Sequence, residues 1–176
     1  MTTKELRLDT EIEKQPLTGR KLRLNLGGLS GEAARAMSQG TLENGGWRPM
    51  EPGNRMADGS VYAGVSPEKG RPMYLTRFDQ PLRMTFNDAV ACAASLDAHG
   101  HKDWCIATKD EMLVIGKNRE AIGDFNTVET DAYSLYYWSS TPLDTFSVFA
   151  HDMTRNSTYA SNSKSMLQRL RCVRYG

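Results

Sequence analysis

Trp104-Cys105-Ile106-Ala107-Thr108-Lys109-Asp110-Glu111-Met112 changes character within nine residues. Trp104, Cys105 and Ile106 read as a short strand. Thr108 and Glu111 then stand three apart, the spacing of a capping box. In that arrangement the threonine hydroxyl accepts from the Glu111 amide, and the carboxylate reaches back to the start of the helix. A short helix follows, with either Met112 and Ile115 or Leu113 and Gly116 facing inward.

Upstream, Thr85 caps a second helix with Asp88 at its third position. Phe86, Ala89, Val90, Ala93 and Leu96 form the apolar face, Cys92 lies on or near it, and the helix stops before Gly100. Residues 61–65 and 72–76 read as strands joined by the Ser66-Pro67-Glu68-Lys69-Gly70 turn. Downstream, residues 136–140 and 146–150 are strands and residues 154–165 a hairpin or exposed loops. Residues 170–175 form a closing strand. Two helices among short strands predict an α+β fold with short, twisted antiparallel sheets.

Residues 40–60 are rich in Gly, Pro and Asn and read as loop. They divide a main domain, 58–176, from an N-terminal segment, 1–57, that attaches or oligomerises it. Within that segment residues 1–18 are a polar arm. Leu22, Leu24 and Leu26 alternate with polar residues as a strand ended by Gly27-Gly28. Ser30 caps a short helix through residues 32–37, stopped at Gly40.

Of 176 residues, 22 are basic and 21 acidic, for a net charge of +1. That balance gives no electrostatic case for nucleic acid or an anionic membrane. No apolar run reaches 18 residues, so no membrane insertion is expected. The polar start lacks the apolar core of a secretory signal, which predicts synthesis in the cytoplasm, with carriage on a virion as one way out. Cys92, Cys105 and Cys172 are odd in number and hold no CxxC pair. They argue against a disulfide framework or a zinc site, and buried free thiols are the simplest reading.

Three ordered motifs carry a resemblance. Trp104 to Met112 is similar to the W-R-L-P-T-K-x-E-L motif of a bacterial C-type-lectin-like family. That family is typified by the C-terminal domain of the Legionella collagen-like adhesin and is distantly related to the formylglycine-generating-enzyme superfamily. Tyr137-Trp138-Ser139-Ser140-Thr141 resembles its Y-W-S-S-[ST] strand, and Arg169 to Arg174 its terminal x-V-R-C-V-R. Residues 121–126 look like the linker many members carry after the second helix. The likeness covers about residues 58–176. Cys105 and Ala107 depart from it, standing where Arg and Pro are usual. It implies a C-type-lectin-like domain, with Cys172 near the helix that holds Cys92; members outside the cytoplasm often pair equivalent cysteines.

The resemblance also implies that the irregular segment between the late strands, residues 143–168, displays side chains, and some members vary this region through diversity-generating retroelements. Asp144, His151, Arg155, Asn156, Thr158, Tyr159 and Asn162 are its candidate ligand-binding residues. Tyrosine gives rigid contact area, and Ser and Asn give adaptable hydrogen bonds. No catalytic residue, metal ligand or cofactor is expected. His99 and His101 flank Gly100 without carboxylates at ligand spacing, and the Glu-Pro-Asn and Gln-Pro-Asp sugar-binding signatures are missing. No Ser-His-Asp elbow, P-loop or dinucleotide motif occurs. The expected function is therefore non-enzymatic, adhesin-like binding of a cell-surface glycan or protein receptor, by a homo-oligomer or among virion proteins in a phage setting. A structural capsid or tail component and a residual formylglycine-type enzyme are the alternatives.

Overall fold

The computed structural model describes residues 40–43, 46–131 and 133–176; the side chains of 40–48, 161 and 162 lie outside the description. The expected strand and helix within residues 22–37 also lie outside the described residues.

The fold is α+β, with few helices and antiparallel sheets. A hairpin comes first, β1 (Gly40–Glu43) with β2 (Gly46–Pro49), where the sequence reads as loop. The overlooked signal is Asn44-Gly45, the dipeptide most favoured in two-residue hairpin connections. A four-stranded sheet follows: β3 (Val61–Val65), β4 (Pro72–Leu75), β5 (Cys105–Ile106) and β9 (Cys172–Tyr175), in the order β3-β4-β9-β5. Gly70 closes the β3–β4 turn at φ 62°, donating its N–H to the Ser66 carbonyl. A three-stranded sheet contains β6 (Tyr136–Pro142), β7 (Ser147–Asp152) and β8 (Ser157–Ser163) in sequence order. The stretch expected to be irregular, residues 143–168, therefore holds β7 and the edge strand β8 bonded along it.

Both capped helices form. In α1 (Phe86–Ser95) the Thr85 side chain accepts from the Asp88 amide. In α2 (Lys109–Lys117) both halves of the Thr108–Glu111 capping box are made. Met112, Ile115 and Gly116 face inward, while Leu113 is exposed. A third short helix, α3 (Arg119–Ile122), occupies the start of the expected linker. Among the described residues no helix is long and apolar enough to cross a membrane.

Two apolar cores lie between these layers, and the period-two alternation of β6 and β9 feeds both. Tyr137 and Val173 enter the core holding Val61, Met73, Leu75, Met112, Ile115 and Ile122. Their chain neighbours Trp138 and Cys172 enter the core holding Ala89, Ala93, Trp104, Ile106 and Leu170. Cys92 packs against the second core, so it does lie near Cys172; all three cysteines are free thiols. Val90, expected on the apolar face of α1, is 46% exposed.

Buried charge locks the layers together. Arg171 donates to the carbonyls of Thr76, Arg77 and Gly123 and stands 3.9 Å from Asp79. The Asp79 carboxylate accepts the Tyr137 hydroxyl at 2.5 Å. Residues 53–56, just before the expected boundary at 57, are bonded to this body as well. Gly53 bonds to Tyr62 and packs so close to Ala121 that a side chain there would strike its backbone.

Candidate functional site

The six candidate residues whose side chains are described do not converge on one surface. Asp144 is exposed, but its Oδ1 accepts from the amides of Phe146 and Ser147 and so shapes the β6–β7 turn. His151 is fully buried, which corrects its assignment to a display surface. Its Nε2 donates to Asn156 Oδ1 at 3.0 Å, and this pair rests on Gly116 of α2. Thr158 lies opposite His151 in the β7–β8 register, and its hydroxyl is buried. His151, Asn156 and Thr158 therefore serve the packing of the sheet on α2. The sequence could not show this, because polar residues on a strand read as outward unless the facing helix is known to carry a glycine there.

Arg155 and Tyr159 remain at the surface. Arg155 reaches back to the buried Asp152 at 2.7 Å, and Asp152 also binds the Thr154 and Arg155 amides and the Thr154 hydroxyl. These donors hold the Asp152 carboxyl below its ordinary range, against burial that raises it. The loop between β7 and β8 is thus fixed, with Asn156 at φ 49°. The side chain of Asn162 is outside the description.

Tyr159, 51% exposed, has a neighbour that sequence reading missed. Its ring centroid is 5.5 Å from that of Tyr136, and Tyr136 is 6.3 Å from Tyr133, which is 44% exposed. Three tyrosines from β6, β8 and the loop before β6 thus form one aromatic face beside Arg155. Partial burial, aided by the Asp152 carboxylate, raises the Tyr136 pKa above the ordinary tyrosine value. The signal for this face was hidden because Tyr136-Tyr137-Trp138 is aromatic throughout, so alternation cannot tell its sides apart.

The two histidines flanking Gly100 work as clamps. His99 Nδ1 donates to the Asp58 carbonyl at 2.9 Å, and His101 Nε2 meets the Asp58 carboxylate at 3.0 Å. Arg174 and Ser60 bind the same carboxylate, and Asp58 is held down to a pKa of about 2 despite some burial. Among the described residues no group of three or more His, Cys, Asp or Glu side chains is placed to hold a metal ion.

No protein-family model matches the chain, and no curated protein matches it.

Proposed function

We propose that the chain is a non-enzymatic binding module of C-type-lectin-like kind, meeting a cell-surface glycan or protein receptor through the face of Tyr133, Tyr136 and Tyr159. The observation that carries this reading is the row of three rings, two of them open to solvent, on a sheet whose other side is fixed to α2. Tyrosines on a rigid support offer contact area at low entropic cost, with a hydroxyl for orientation. Presentation of many copies, on a phage particle or a bacterial surface, multiplies weak single contacts into avidity. Burial pushes the Cys105 thiol pKa up, which favours binding over thiolate chemistry of the formylglycine type.

The test is a glycan array together with whole-cell binding, using the native chain and its Tyr133→Ala and Tyr159→Ala variants. Each variant is expected to lose about five- to thirty-fold in apparent affinity, roughly 1–2 kcal/mol, with an unchanged melting temperature. Binding that survives both substitutions removes the face from consideration.

One observation favours the structural-component reading. Phe146, 78% exposed, and Leu143 stand at the β6–β7 turn as apolar side chains with nothing over them among the described residues. If they pack against partner subunits, Phe146→Ser lowers the assembly state seen by light scattering while binding per subunit is retained.

A further inference from the structure

Away from the tyrosine face, and sharing no residue with it, an open cleft of about 410 Å³ lies between α1, β5 and the end of β9. Its apolar wall includes Val90 and Ala94 of α1 and Trp104. This placement explains why Val90 is so exposed: it lines the cleft instead of filling the core. The small side chains of Ala93 and Ala94 keep the space open.

The polar end has a defined sense. Behind it the fully buried Glu111 carboxylate accepts from the Ser66 hydroxyl at 2.5 Å, Lys69 Nζ at 3.2 Å, the Thr108 amide at 2.9 Å and the Tyr175 hydroxyl at 2.8 Å. Four donors saturate it, so Glu111 has no acceptor capacity left for a ligand. The same contacts hold the Lys69 ammonium in place, 3.9 Å from the centre of the Tyr175 ring. An ammonium has three N–H groups, and the Lys69 side chain is 39% exposed, so donors remain on its open side. Ser140 lines the cleft with no hydrogen bond to its hydroxyl among the described residues, while the protonated Cys105 thiol is turned to the Tyr175 hydroxyl at 3.9 Å. Glu68 accepts from the Thr108 hydroxyl at 2.8 Å beside the cleft but is not one of the residues that line it. The unspent hydrogen-bonding capacity of the cleft is therefore mainly that of donors, one of them cationic, beside an apolar wall.

We propose that this cleft binds a small monocarboxylate with a flat aromatic or branched aliphatic body, the body lying on Val90, Ala94 and Trp104 and the carboxylate on Lys69 and Ser140. The volume falls within the range of small-molecule sites, about 300–1,000 Å³. At about 30 Å³ per water-sized unit it has room for roughly a dozen non-hydrogen atoms. An apolar wall with a few convergent polar groups is the usual make-up of such sites.

The probe is 4-phenylbutyrate, titrated into the ¹⁵N-labelled full chain, with 4-phenylbutyramide as its uncharged match. The carboxylate is expected to give saturable shifts at Ala94, the Trp104 indole and Ser140, with the amide at least five-fold weaker. Ala94→Trp fills the cleft from an exposed helix position and is expected to abolish the shifts; Lys69→Gln weakens them at least five-fold. In the unaltered protein the carboxylate is also expected to slow N-ethylmaleimide labelling of Cys105, which keeps the test decisive should Ala94→Trp fail to fold. Absence of saturable shifts, absence of Cys105 protection, or persistence of binding in a folded Ala94→Trp overturns the site. Equal binding of the amide overturns the carboxylate assignment. Tyr159→Ala leaves all of these readouts unchanged, so this result stands or falls separately from the receptor-binding face.

Discussion

At the scale of single residues, the clearest constraint is Gly116. A Cβ there would lie 2.6 Å from His151 Nε2 and closer still to Asn156 Oδ1. Gly116→Ala is therefore expected to destabilise by about 1–3 kcal/mol through overpacking, seen as a lower urea midpoint. His151 beneath it has its own pH signature. Burial, the largest cause, lowers its pKa below the ordinary 6.5; Arg119 acts the same way, while Asn156 and Asp152 oppose it. In the unfolded chain the imidazole takes up a proton near pH 6.5, and in the folded chain only at lower pH. The stability it contributes is thus complete above about pH 6.5 and is lost as pH falls from there towards the lowered folded value. Urea unfolding between pH 7 and pH 5 is expected to show a shallower loss in His151→Gln than in the unaltered chain. Equal slopes would mean that His151 is not buried neutral.

At the scale of elements, the two helix starts separate what local sequence encodes from what it does not. Thr108→Ala removes one capping hydroxyl and is expected to cost about 1 kcal/mol. Glu111→Gln disturbs four hydrogen bonds at a buried charge and is expected to cost more, about 2–4 kcal/mol; chemical denaturation ranks the two. If Thr108→Ala proves the more costly, the capping box outweighs the buried hub. The capping box was legible because both partners lie within four residues. The hub was not, because Ser66, Lys69 and Tyr175 reach Glu111 only through tertiary contacts. The same contrast runs through the strands. The β3–β4 hairpin carries its own turn and was readable, whereas the position of β9 between β4 and β5 depends on pairings with distant segments. For the candidate site, Tyr159 was readable as a surface residue of β8. Its companions were not, since Tyr136 has Tyr137 and Trp138 beside it and both of those are buried.

At the scale of the whole molecule, β6 and β9 tie the two cores into one cooperative body. Neither strand can leave one core without leaving the other, because Tyr137 and Trp138, like Cys172 and Val173, are chain neighbours that enter different cores. Arg171 adds a buried tie between the chain end and the segment after β4. Ile115→Ala in the first core and Leu170→Ala in the second are each expected to cost about 2–5 kcal/mol. Each should shift far-ultraviolet circular dichroism and tryptophan fluorescence together, as one transition. Trp104 and Trp138, two of the three tryptophans, sit in the second core, so in a Trp47→Phe background Ile115→Ala is the sharper case: it must move a fluorescence signal that arises from the other core. A fluorescence midpoint unmoved by Ile115→Ala would show that the cores unfold separately. In the cooperative case Tyr136, carried on β6, keeps its place against Tyr159 until the whole domain unfolds. Receptor binding is then expected to persist on heating up to the global transition and to vanish with it.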